Sequence, residues 1–220
     1  MSVELLNMDC MDYMRDLPDN AFDLAIVDPP YGIGDFNQSR SRKVHKKIEW
    51  NNAAPTQEYF AELYRVSKHR IIWGVNYYGA YVKDVGRLIH DKTGGGKKDQ
   101  LPELSDADIA SHSFGVNIKI FSFVWQGNAQ GSGINWKNTG RDARIHPCQK
   151  PVCLYQWILT RYANEGDRIL DTHLGSGSSA IAAHYGGFDF VGTELDEDYY
   201  KAACTRFERE TAQLDLLGAS

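Results

Sequence analysis

The sequence predicts an α/β fold, parallel strands joined by crossover helices, and three observations carry that reading. Short apolar runs rich in branched residues alternate with helical stretches along most of the chain. One run, Asp23-Leu24-Ala25-Ile26-Val27, stops abruptly on Asp28-Pro29-Pro30-Tyr31. Another, Arg168-Ile169-Leu170-Asp171, passes through Gly175-Ser176-Gly177 into an apolar helical stretch. That is the strand–turn–helix order of nucleotide-binding sheets.

The elements follow in chain order. Val3 to Asn7 reads as a strand, about Cys10 to Arg15 as a helix, and the Asp28 strand completes a βαβ unit with a right-handed crossover. Pro55-Thr56-Gln57-Glu58 opens a second helix with Phe60, Leu63 and Tyr64 on one face. Strands are expected over Arg70–Val75, Arg87–His90 and Asn117–Trp125. The polar stretch from Thr93 to Ser113 reads as a surface segment, and Gln126 to Ile145 as loop. A helix from His146-Pro147-Cys148-Gln149-Lys150-Pro151 to about Tyr162 precedes the Asp171 strand. A helix over Ala180–Tyr185, a strand Phe188–Thr193 ending on Glu194 and a last helix over Asp198–Thr211 close the chain.

Size and composition set bounds. With 220 residues, 42% hydrophobic and 24% charged, the chain is expected to be one soluble domain with a single core. No apolar run approaches the ~20 residues of a membrane span, and the N-terminus lacks a signal peptide's pattern, so a cytoplasmic location is expected. Cys10, Cys148, Cys153 and Cys204 are scattered and form no C-x-x-C pair, which excludes a zinc-ribbon spacing and reads as reduced thiols, with no metal site. The net charge of −5 means that a basic footprint must be local. Such a footprint exists. Gln38 to Lys47 holds Arg40, Arg42, Lys43, Lys46 and Lys47 without one acidic residue, and it leaves directly from the Asp28 turn. It can clamp a phosphate backbone or merely be a solvated face. Trp136, Lys137, Arg141 and Arg144 form a second basic, aromatic stretch.

Two prolines cannot donate to a ladder, so Asp28 must stand at the end of its strand in a rigid, exposed turn. A carboxylate, the Pro29 carbonyl and the Tyr31 ring together suit a planar ring bearing an amino group: two acceptors for two N–H bonds, and one face for stacking. In the other motif, the glycines let the backbone approach a ligand and the helix N-terminus offers N–H groups. Glu194, 23 residues after Asp171, stands where an acid takes ribose hydroxyls.

Asp28-Pro29-Pro30-Tyr31 resembles the catalytic tetrad of amino-methyltransferases. Asp171-Thr172-His173-Leu174-Gly175-Ser176-Gly177-Ser178 resembles the S-adenosylmethionine motif of DNA amino-methyltransferases, with His173 in place of the usual aromatic or proline. Because the tetrad precedes the cofactor motif, the order resembles the permuted β group, especially small phage- or prophage-type members. The resemblance covers about 1–33 and 146–205. It implies a Rossmann-like, circularly permuted methyltransferase fold, a mixed seven-stranded sheet flanked by helices with the last strand antiparallel. By the same resemblance, S-adenosylmethionine would be held by Asp9, Cys10, Asp28, Gln149, Lys150, Asp171, His173, Gly175, Ser176, Gly177, Ser178, Glu194 and Leu195. The chain would divide into a catalytic half (1–93), a variable segment for target recognition (94–145) and a cofactor half (146–220).

The resulting expectation is an adenine-N6 DNA methyltransferase. Asp28 and the Pro29 carbonyl accept the amine, Tyr31 stacks on a flipped base, and the basic stretches hold double-stranded DNA. The resemblance also leaves a homodimer and a cognate restriction endonuclease open as partners. Asp at the first tetrad position favours adenine over cytosine-N4. An RNA or protein-amide methyltransferase and a non-catalytic binding module are the other readings.

Overall fold

The computed structural model describes residues 1–33, 53–95, 105–126, 129–131 and 144–215. In chain order its elements are β1 (Val3–Asn7), α1 (Cys10–Arg15), β2 (Phe22–Val27), α2 (Gln57–Val66), β3 (Ser67–Trp73), α3 (Val75–Tyr78), β4 (Gly86–Asp91) and β5 (Ala107–His112). There follow β6 (Ile118–Ser122), β7 (Val124–Gln126), β8 (Ala129–Gly131), α4 (Val152–Tyr162), β9 (Arg168–Asp171), α5 (Ser178–Gly186), β10 (Asp189–Glu194) and α6 (Glu197–Asp215).

Among the described residues, eight strands form one sheet in the order β1-β10-β9-β2-β3-β5-β4-β6, and β7 and β8 form a separate hairpin. β1, β10, β9, β2 and β3 pair in parallel. β5 is antiparallel to both of its neighbours, and β6 returns to the common direction beside β4. The sheet therefore carries one strand more than the seven expected.

Alternation along the strands sorts the core into two layers. Leu24, Ile26, Ile71, Trp73, Ile169 and Phe190 pack against α4 and α5, while Ala25, Val27, Ile72, Leu170 and Val191 pack against α1 and α2. Strands buried on both faces read as continuous apolar runs, which is why these were legible. α4 buries Leu154, Tyr155, Ile158 and Leu159. At roughly 1.5–3 kcal/mol for a large apolar side chain, packing rather than helix propensity holds it in place. Local caps set the helix starts. Asp9 accepts from the Met11 N–H at 2.7 Å to open α1, and Thr56 accepts from the Tyr59 N–H at 3.4 Å to open α2.

The expected surface segment over Thr93–Ser113 is corrected. Ala107–His112 is β5, lying between β3 and β4 with Ala110, Ser111 and His112 fully buried. Its Ala-Asp-Ile-Ala-Ser-His composition lacks a branched apolar run, and its place comes from two antiparallel ladders rather than from propensity. The expected strand over Asn117–Trp125 divides into edge strand β6 and hairpin strand β7, and the expected loop over 126–145 contains β8.

His90 on β4 is fully buried, and neither ring nitrogen has a hydrogen-bond partner among the described residues. Burial pushes its pKa down to about 4, overcoming the opposing pull of Asp108, whose Oδ2 lies 3.8 Å from Nδ1. The unfolded chain thus takes up this proton near pH 6.5, before the folded one does. The stability this creates is complete above pH 6.5 and is lost as pH falls towards 4, by about 3 kcal/mol. His90→Leu should therefore lose less stability than the wild type between pH 7.5 and 4.5, by roughly 2–3 kcal/mol in urea melts. Equal losses in both proteins would contradict this.

Candidate active site

The parallel strands point the same way, so their carboxyl ends meet along one sheet edge. There Asn7, Glu194, Asp171 and Val27 end β1, β10, β9 and β2. From β9 the chain proceeds to β10 on one side, and from β2 to β3 on the other. A crevice is expected at such a reversal point. It is present as a cavity of about 1100 Å³ lined from both sides. That exceeds the roughly 300–1,000 Å³ of a pocket for one small ligand.

The tetrad stands at the centre of this crevice. The Tyr31 hydroxyl donates to Asp28 Oδ1 at 2.8 Å, and the Lys150 ammonium donates to Oδ2. The Pro29 carbonyl accepts from the Tyr78 hydroxyl at 2.8 Å. The Tyr31 ring stacks on Tyr77, with centroids 4.7 Å apart and planes 13° apart. Tyr77 and Tyr78 come from α3, whose N-cap Gly74 has φ +80°. A Cβ built on Gly74 would lie 2.4 Å from Tyr31 Cε1 and 2.7 Å from the Tyr78 hydroxyl. Only glycine meets both demands, the left-handed backbone and the close approach of Tyr31.

On the other side, the Asp171 carboxylate accepts from the His173 N–H at 3.0 Å and from Ser179 Oγ at 2.6 Å, bracing the turn from behind. Burial pushes this carboxyl up to about 7, against those two hydrogen bonds and with help from Asp28 and Glu194. The Glu194 carboxylate accepts from the Gly175 N–H at 2.8 Å and the Asp196 N–H at 3.0 Å, and burial raises its pKa as well. Gly175 and Gly177 carry φ of +53° and +74°, a turn that side-chain-bearing residues rarely adopt. His173 packs edge-on against Tyr59 and shares a 2.9 Å hydrogen bond with Thr172. Burial pushes its pKa down to about 4, so at neutral pH it is an uncharged aromatic ring.

Of the residues expected on the cofactor, Asp9, Cys10, Asp28, Gln149, Lys150, His173, Gly175, Ser176, Ser178, Glu194 and Leu195 line the cavity; Asp171 and Gly177 stand just behind it. Lys150 is turned to Asp28, and Gln149 accepts from the Ile145 N–H at 3.0 Å. Burial pushes the Cys10 thiol up to about 12, so it stays protonated at neutral pH. Arg206 is a further site residue. It reaches from α6 to donate to the Ser176 carbonyl at 2.8 Å and to Ser178 Oγ at 2.9 Å, and it is buried. Nothing in its local sequence sets it apart from the other charges of a surface helix.

Arg40, Arg42, Lys43, Lys46, Lys47, Trp136, Lys137 and Arg141 lie outside the described residues. The ends of the first basic stretch are placed, however. Gly32 abuts Ala54, where a Cβ would come within 2.6 Å of the Ala54 nitrogen, and Ala53, Ala54, Pro30 and Tyr31 line the cavity. Gly32 and Ala54, which flank the stretch 34–52, thus meet beside the cavity. Arg144 lies over the Trp125 ring, 5.0 Å from its centroid.

Residues 99–205 match the N6_N4_Mtase family, described as DNA methylase. Across 215 residues the chain is 29% identical to an Escherichia coli (strain K12) protein named "Putative methylase YubD", covering 90% of this chain and 87% of the other. The fold is similar to the crystal structure of the M1.HpyAVI–SAM complex, with a TM-score of 0.60 at 17% identity over 93% of this chain and 100% of that one. It is also similar to PvuII DNA methyltransferase (cytosine-N4-specific), with a TM-score of 0.59 at 14% identity over 96% and 91%. At such identities the structural likeness speaks for the fold, a mixed sheet flanked by helices.

The Tyr31 plate depends on Gly74. Gly74→Ala should destabilise the protein by about 1–3 kcal/mol through backbone strain and should break the Tyr31–Tyr77 stack. Urea melts and the near-ultraviolet tyrosine signal read the two effects, and neither changing would contradict the role of Gly74.

Proposed function

We propose that the chain transfers a methyl group from S-adenosylmethionine to the exocyclic N6 amine of a flipped-out adenine in duplex DNA. The observation that carries this reading is the Asp28 carboxylate and Pro29 carbonyl at the end of β2, beside the Tyr31 plate and open to the same crevice as the Gly175–Ser178 turn. Along the chain the tetrad on β2 comes before the turn after β9, which supports the permuted β-group order.

The residues present fit the cofactor. Asp9, Glu194, Asp196 and Asp198 line one side of the cavity, an acidic wall suited to a ligand with ammonium and sulfonium charges. Glu194 at the strand end suits ribose hydroxyls, and exposed Leu195 gives a nearby apolar surface. When bound, S-adenosylmethionine supplies an activated methyl group. The protein's own part is alignment. Asp28 and the second lone pair of the Pro29 carbonyl accept the amine's N–H bonds and draw its lone pair out of ring conjugation. The base needs no covalent bond to the enzyme, consistent with a Cys10 thiol that stays protonated. A base stacked on the Tyr77 side of Tyr31 displaces the Tyr77 ring, which is 46% exposed on the one-turn α3. The basic residues of 40–47, with Arg144 and the 136–141 segment, would contact DNA phosphates. The likeness to PvuII methyltransferase favours cytosine N4 as the second reading, since its amine makes the same demands.

Asp28→Ala should reduce methyl transfer to duplex DNA by at least about a thousandfold, because it removes the acceptor that aligns the amine. Cofactor affinity by equilibrium dialysis should change little. Retained transfer would contradict the role of Asp28.

A further inference from the structure

The Lys150 side chain is 4% exposed and that of Asp28 is 14% exposed. Beyond its contact with Asp28 Oδ2, the Lys150 ammonium lies 3.4 Å from the Tyr31 hydroxyl and 5.1 Å from the centroid of the Trp73 ring. Its charge is felt on the far side by Asp108 of β5, which in turn pairs with Lys92 at 2.8 Å. Asp28, Lys150, Asp108 and Lys92 thus alternate in charge, each acting on the next.

We propose that Lys150 is a positioning residue for the methyl transfer, holding Asp28 as an ionised, oriented hydrogen-bond acceptor, and that Asp108 holds Lys150 in turn. This deepens the methyltransferase reading and rests on it. An ionised carboxylate only accepts hydrogen bonds; a protonated one also donates, and it no longer offers both oxygens to an amine. A buried carboxylate without a cation tends to take up a proton. The titratable groups facing Asp28 are Tyr31 in its own turn, Tyr59 from α2, Tyr78 from α3, Cys148 and Lys150 ahead of α4, Tyr155 on α4 and Asp171 at the end of β9. Lys150 is the one cation in that set. Burial alone would lower its pKa, but Asp28 and Asp108 together keep it raised, so Lys150 stays charged across neutral pH.

The sign of the effect follows. Without the ammonium no cation in that set favours the charged form of Asp28, and a carboxyl that keeps a proton at the acid end cannot align the amine, so the lost activity returns towards alkaline pH. The test is the pH profile of single-turnover methyl transfer to duplex DNA, at saturating S-adenosylmethionine, for the wild type, Lys150→Met, Lys150→Arg and Asp108→Asn. The wild type should be flat between pH 6.5 and 9 to within a few-fold. Lys150→Met should be slower by at least about tenfold at pH 6.5 and recover towards pH 9, one pKa unit corresponding to a tenfold change. Lys150→Arg should restore the flat profile, and Asp108→Asn should move in the same direction as Lys150→Met by a smaller factor. At saturating S-adenosylmethionine, a change in cofactor affinity drops out of these profiles. A Lys150→Met profile parallel to the wild type, or a loss traced wholly to weaker cofactor binding, would overturn the proposal. If the wild type itself transfers nothing to DNA, the methyltransferase reading fails. The carboxyl ¹³C titration of Asp28 then still decides the charge coupling, which is overturned if its midpoint does not rise in Lys150→Met.

Discussion

The site depends on one short ladder, the parallel pairing of β2 with β9 through Leu24–Ile169 and Ala25–Leu170. These two strands come from opposite parts of the chain. Their register sets Asp28 and Asp171 at the same edge, and the reversal of direction between them leaves the crevice. Asp23 reinforces the ladder, accepting from the Arg168 N–H at 2.9 Å and from Lys68 Nζ at 2.6 Å. A slip of one residue would turn Asp28 away from the cavity, because successive side chains alternate faces.

Around that ladder the protein buries charge that its core would otherwise exclude. Asp171, Lys150 and Arg206 are all at most 5% exposed. Each is matched by specific partners, the Ser179 hydroxyl and His173 N–H, the Asp28 carboxylate, or the Ser176 carbonyl and Ser178 hydroxyl. Buried charges, paired or hydrogen-bonded, add little net stability over apolar packing and are better explained by what they position. Here they hold two turns rigid on either side of one cavity, which is what an alignment-driven reaction requires.

The parts of this arrangement that were legible in the sequence are those governed by local rules. A branched apolar run ending in two prolines must end a strand, and a Gly-x-Gly turn before a helix must present backbone N–H groups. Asp9 and Glu194, which line the cavity, also stand at or just beyond the ends of strands that local rules predict. What remained hidden is set by contacts remote in sequence. Lys150 meets Asp28 across 122 residues, and Arg206 meets Ser176 across 30. β5 carries a polar sequence that becomes strand only between two neighbours, and Gly74 declares its role only once Tyr31 lies against it. Gly74 did leave a signal, a glycine directly after Ile71-Ile72-Trp73 and ahead of two tyrosines.

The central claim concerns which atom receives the methyl group, and a nucleoside digest measures that directly. The purified protein is incubated with S-adenosylmethionine and unmethylated duplex DNA, the DNA is hydrolysed, and the nucleosides are identified by mass spectrometry. Deoxyadenosine methylated on N6 is the expected product. Deoxycytidine methylated on N4 would contradict the choice of base, and the absence of any methylated nucleoside from protein that binds the cofactor would contradict DNA as the substrate.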